Sequence, residues 1–260
     1  MKAALARLVM TSLLLVLPGP GRAGAPGALA WFKQGVELSR QGDYQAALLR
    51  YQRARSLAPN WALPYLEIAV AHLMTDNDRK LIGSALKRAV ELGDDIPRAH
   101  YLYGVFLQEE GRRRPAIAEL TRALQLRPSM VDARYRLALL YIEEGAQQRG
   151  LEQLELVVGQ RPSHVGARRT LAVLYEQSGR LEQAEKHLAA ICKLYPNNAY
   201  HLSELARFYR RVGWQGKARS TQRAADKLDP ARKARSLRPL PPSRRVRRRS
   251  DPMEPGGSQS

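Results

Sequence analysis

Proline recurs at Pro128, Pro162, Pro196 and Pro230, each 34 residues after the one before. A fixed period in the range of roughly 20–50 residues marks an array of one repeated supersecondary unit. A single unit of that size cannot bury its own apolar face, so the core has to run from unit to unit along the chain. An array of this kind offers a long surface to other proteins and brings no reaction centre with it.

Aligning the chain on this period produces columns. A tiny residue stands at Gly35, Ala69, Gly104, Ala138, Ala172 and Ala206, and a bulkier one three positions on, at Leu38, His72, Leu107, Tyr141, Tyr175 and Tyr209. Glycine follows at Gly42, Gly111, Gly145, Gly179 and Gly213, then a second tiny residue at Ala47, Ala116, Gly150, Ala184 and Ala218. A third small or aliphatic column runs Ala54, Ala89, Ala123, Val157, Ile191 and Ala225, and proline closes rows from Pro59 onward. Tiny residues let two helices approach closely while bulky ones fill the space beside them. Glycine permits the turn between helices, and proline cannot continue a helix from within. Between these breakers apolar residues recur at steps of three and four, as in Tyr135, Leu137, Ala138, Leu140 and Tyr141, which is the pattern of an amphipathic helix.

These columns resemble the tetratricopeptide repeat. The first row carries the likeness most fully, with Trp31, Gly35, Tyr44, Ala47, Tyr51, Ala54 and Pro59, and departs from it at Gln34, where leucine is preferred. The resemblance covers residues 28–230 in about six units. It implies an all-α fold, a right-handed superhelical solenoid of helix-turn-helix repeats. The rows are not equivalent. The second runs one residue long, has a polar TDNDRK stretch at its inner turn and carries Asp94 in place of the closing proline, so a lengthened turn is expected there. In the sixth, Gln222 stands where Tyr51, Leu120, Leu154 and Leu188 stand elsewhere, as suits a cap with a wettable face.

In the fold that the resemblance implies, the first helices line a concave groove. Two columns should face it, and the candidate partner-binding residues are Phe32, Leu66, Val70, Tyr101, Val105, Tyr135, Arg136, Leu139, Arg169, Val173, Arg207 and Arg210. Two readings stand side by side. In one, the stripe grips a segment of another protein, apolar at one end and acidic at the other. In the other, the same side chains pack against each other across adjacent repeats. Some members of the family hold chaperone C-termini with a lysine, asparagine and arginine set in the groove, and that set is missing from these columns.

The residue types of common catalytic sites are not assembled in sequence. His72, His100, His164, His187 and His201 fall at unrelated register positions without metal-ligand spacing. No phosphate-cradling glycine loop and no nucleophile elbow occurs, so neither cofactor nor enzymatic activity is expected. The single cysteine, Cys192, lies among apolar neighbours and reads as a core residue. Glu109-Glu110 and Glu143-Glu144 precede turn glycines and read as solvated helix ends.

Charge is uneven. The formal net charge is +19, of which residues 1–30 hold +3 and residues 231–260 hold +7. Because so much of it is terminal, it argues little for nucleic-acid binding by the repeats. Lys2 and Arg7 precede an apolar run from Leu8 to Leu17 and then a small-residue stretch, the order of a secretory signal over residues 1–23 with cleavage after Ala23 or Ala25. The run is ten residues long, whereas crossing a bilayer takes about 20, so no transmembrane anchor is expected. Residues 231–260 are rich in Arg, Pro, Ser and Gly and are expected to be a disordered tail, either simply solvated or a patch for an anionic surface. The whole reads as a periplasmic or secreted scaffold for other proteins in a bacterial envelope assembly. The alternatives are an intracellular adaptor whose basic tail contacts nucleic acid or anionic membrane, and an enzyme or enzyme regulator that uses the groove.

Overall fold

The computed structural model describes residues 26–76 and 78–229. The expected leader, the tail and Pro230 lie outside the described residues. Twelve α-helices follow in order: α1 (Pro26–Arg40), α2 (Tyr44–Leu57), α3 (Ala62–Met74), α4 (Arg79–Leu92), α5 (Pro97–Glu109), α6 (Arg113–Leu126), α7 (Val131–Glu143), α8 (Gln147–Gln160), α9 (Val165–Gln177), α10 (Leu181–Leu194), α11 (Ala199–Arg211) and α12 (Gln215–Leu228). They form six consecutive pairs, the all-α solenoid architecture expected. The chain falls into two compact units divided between His187 and Leu188.

Each expected turn glycine has a mechanical role. Three residues join α5 to α6, and Gly111 among them takes a φ of 73°, the left-handed region that favours glycine. That conformation lets Arg112 N–H donate to the Leu107 carbonyl at 2.9 Å and Gly111 N–H to Gln108 at 3.0 Å, the helix-terminating pattern that satisfies carbonyls left open at a C-terminus. The same bond recurs from Ala146 to Tyr141, Arg180 to Tyr175 and Trp214 to Tyr209. The bulky column therefore supplies both an apolar side chain and the acceptor that closes the turn. The second pair differs as its sequence suggests: four residues separate α3 from α4, and Asp78 caps α4 by accepting from Lys80 and Leu81 N–H at 2.9 and 3.0 Å.

Packing follows the tiny columns. Ala47, Ala116, Ala138, Ala172, Ala184 and Ala206 are fully or almost fully buried, and Tyr51, Leu120 and Leu154 fill the adjoining space. Helix α3 is the most enclosed, with Leu66 through His72 all buried, as suits a helix that is apolar nearly all round. Its one buried acid, Glu67, pairs with Arg98 of α5. Cys192 is buried, and burial pushes its thiol up to about 11, which keeps it in the unreactive protonated form.

A polar column that the residue types do not advertise ties four of the inter-repeat turns to the helix after them. The Tyr65 hydroxyl donates to the Pro59 carbonyl at 2.9 Å, the Arg134 guanidinium to Pro128 at 2.8 Å and Arg168 to Pro162 at 2.6 Å. His100 Nε2 meets the Asp94 carbonyl at 3.1 Å in the same way. In each case the partner lies six residues back. Burial alone would depress His100, but Glu119 at 2.7 Å from Nδ1 and the Asp94 carbonyl outweigh it and hold the imidazole above its ordinary value. Asp94, which replaces the closing proline, also receives Arg122.

Ion pairs then link successive pairs. Arg79 at the start of α4 reaches Glu109 and Glu110 at the end of α5, both at 2.6 Å, and Arg113 of α6 reaches Glu143 of α7 at 3.1 Å. Three of the four acids expected to be solvated helix ends are thus rungs between repeats. Exposed pairs of this kind contribute about 0–1 kcal/mol each, so they set register more than stability.

Leu120→Ala should cost about 2–5 kcal/mol in urea unfolding, because the side chain is wholly enclosed. Arg168→Leu, which removes only one turn-closing donor, should cost about 1 kcal/mol; equal losses for the two would contradict this division of labour.

Candidate functional site

The twelve candidate groove residues divide into three environments. Phe32, Leu66, Val70, Tyr101 and Val105 are buried within the core cluster. Of the two readings of the stripe, packing across adjacent repeats describes these five, which are enclosed by neighbouring helices. Phe32 is 3% exposed, with its ring centroid 5.5 Å from Tyr51 and 4.8 Å from Trp61. Tyr101 is pressed against the next repeat, where burial raises its phenol and the charge of Arg136 pulls the other way. Tyr135, Arg136, Leu139 and Arg169 are half-buried. Val173 is 46% exposed, and Arg207 and Arg210 are exposed.

Within the first unit the open part of the stripe is thus carried by α7 and α9. Tyr135 is fixed from two sides. His164, immediately before α9, lies with its ring centroid 4.6 Å from the Tyr135 ring. A Cβ on Gly166 would stand 2.9 Å from the Tyr135 hydroxyl oxygen, so glycine leaves the room this ring occupies. Arg136 donates to the Gln108 side chain of α5 at 3.3 Å. The result is a pinned aromatic ring, a tethered guanidinium, and Leu139 and Val173 on consecutive first helices. Apolar surface with a polar edge is the make-up of a protein-docking site.

His164 has a second role, since its Nδ1 accepts the Ala167 N–H at 3.0 Å and caps α9. Burial, helped by the Arg161 charge, lowers its pKa. The cap needs an unprotonated Nδ1, so the lowered value and the contact agree.

Sequence reasoning did not find His164 or Gly166, because each acts on the stripe from outside its columns. The remaining histidines serve as structural partners: His187 stacks on Tyr175 at 5.6 Å, and Tyr175 donates to Glu155 at 2.7 Å, with burial and that carboxylate raising the phenol to about 12. Among the described residues no group of three His, Cys, Asp or Glu side chains is placed to hold a metal ion. No described helix is long and apolar enough to cross a membrane.

Helix pairs at a 34-residue beat, closed by left-handed glycines, with first-helix side chains opening to solvent in the later repeats, define a helical-repeat interaction protein. Residues 28–61, 107–164 and 143–207 match the tetratricopeptide repeat family, and the chain belongs to it. No curated protein matches it in sequence. Several solved structures share the fold. That of pilF from Pseudomonas aeruginosa is 19% identical, covers 81% of this chain and 97% of its own, and has a TM-score of 0.62. PilW, titled a widely conserved type IV pilus biogenesis factor, is 17% identical over 79% of this chain and 95% of its own, with a TM-score of 0.60. YrrB, titled a TPR protein with an unusual peptide-binding site, is 20% identical over 78% and 97%, with a TM-score of 0.59. At these identities the likeness is one of fold.

Because the folded His164 pKa lies below its unfolded value, the cap's contribution is complete above about pH 6.5 and is lost as pH falls through the folded value. His164→Asn keeps a capping oxygen that does not titrate. Its unfolding free energy in urea should match the parent near pH 8 and exceed it at about pH 5 by up to about 1 kcal/mol; a constant difference across that range would refute the linkage.

Proposed function

We propose that the protein is a non-catalytic scaffold of the bacterial cell envelope, exported by its N-terminal segment, that helps assemble an envelope machine such as a pilus, secretion, gliding or outer-membrane complex. The observation that carries the interaction role is the half-buried Leu139 and the exposed Val173 in register on α7 and α9, beside the pinned Tyr135 and tethered Arg136. Such a surface holds an extended or helical segment by apolar contact, with charge at its border to fix orientation.

Two further features support the envelope setting. Basic residues, a ten-residue apolar run and small residues follow one another from Lys2 to Ala25, as in secretory leaders. The folds of PilW and pilF are also similar to this one over most of their length. The peptide-binding site named for YrrB is the kind of use proposed here for the α7–α9 surface.

The mature protein from its native host should begin after Ala23 or Ala25 by mass spectrometry. A photocrosslinking residue placed at Leu139 or Val173 should capture an envelope partner, and one at the buried Val70 should not. Retention of Met1–Ala23 in the native protein would overturn export, and equal capture from all three positions would overturn the docking surface.

A further inference from the structure

Among the described residues, the last helix pair is strongly basic. Helices α11 and α12 hold seven basic residues against Glu204 and Asp226. A cleft of ≈ 250 Å³ opens beside them, lined by Arg210 of α11 and by Gln215, Ala218, Arg219, Gln222 and Arg223 of α12. Arg219 and Arg223 lie one turn apart on the same face of α12, a like-charged spacing that destabilises a helix unless an anion sits between. Arg207 is one turn before Arg210 and is also exposed. None of these four arginines meets a carboxylate within the described residues. Earlier in the chain Arg79, Arg98, Arg113, Arg122 and Arg161 all do. Asp226, the nearest acid on α12, is engaged by the Gln222 side chain at 2.8 Å.

We propose that this cleft docks an acidic, carboxylate-rich segment of a partner protein. Guanidinium groups converging from two helices suit carboxylates, which they bind through paired N–H donors. The lining also weighs against other anions. It holds no aromatic ring on which a nucleic-acid base could stack. It holds no large apolar residue to enter a lipid surface. The chain's own tail is not the occupant, because residues 231–260 carry +7. Nor does a second copy offer a ready acidic run, since Glu109, Glu110 and Glu143 are already paired. The inference rests on reading the chain as a protein-binding scaffold and adds the chemistry of one partner segment.

Fluorescence anisotropy with a labelled twelve-residue Glu/Ser peptide and the full purified chain tests this at low and at physiological salt. The triple variant Arg210→Gln, Arg219→Gln, Arg223→Gln should bind about tenfold more weakly or worse and show a flatter salt dependence. Should the triple variant fail to fold by circular dichroism, Arg223→Gln alone should still weaken binding several-fold. A tail variant with Arg244, Arg245, Arg247, Arg248 and Arg249 all changed to Gln should stay within about threefold of the parent. The proposal is overturned if the cleft variants bind within twofold of the parent or if the tail variant accounts for the loss. It is likewise overturned if a single-stranded oligonucleotide or phosphatidylglycerol vesicles displace the peptide through the cleft arginines. Export has no part in the measurement, so failure here leaves the envelope assignment standing.

Discussion

One helix pair of this chain has too little apolar surface to be stable alone, and every other feature depends on how that deficit is met. The pairs close on tiny residues such as Ala116 and Ala138, which lets bulky neighbours such as Leu120 and Leu140 sit fully enclosed. The requirement is local in sequence but satisfied only by stacking. It explains why the beat is kept so strictly, because a slipped residue would move a tiny side chain off the contact. The second repeat shows the tolerated exception: its extra residue lies in the turn between α3 and α4, outside the packed face.

Polar groups sharpen what apolar burial leaves loose. The turns before repeats two to five are held by a donor six residues on, and that donor is tyrosine, histidine or arginine; at the sixth the position is Leu202, which has no donor. No identity column could reveal it, since the shared property is reach and donor capacity. The Arg79–Glu109 and Arg113–Glu143 rungs are a different case. Both arginines open second helices and both acids end first helices. The overlay that revealed the glycines contained this signal too, but each acidic pair, taken alone, looked like a helix end facing water.

Where the stack opens, the same devices become surface. Tyr135 is held by His164 and by the space Gly166 leaves, so its position is set before any partner arrives. Arg207, Arg210, Arg219 and Arg223 stand without the carboxylates that answer Arg79, Arg98 and Arg113 earlier in the chain. Family membership supplies the scaffold, and these departures from uniform repetition are what distinguish its surface.

The number of helix pairs, the turn glycines, the longer second turn and the polar final helix were all legible in the sequence, because each follows from short-range periodicity and backbone conformation. Exposure was not. Val105 and Val173 are the same residue in the same column, yet one is 3% exposed and the other 46%. The two readings of the stripe therefore part along its length: Phe32, Leu66, Val70, Tyr101 and Val105 belong to the core, while Val173 meets water. Hydropathy states what a side chain prefers; whether it meets water is decided by side chains brought in from neighbouring repeats, which only the folded chain assembles.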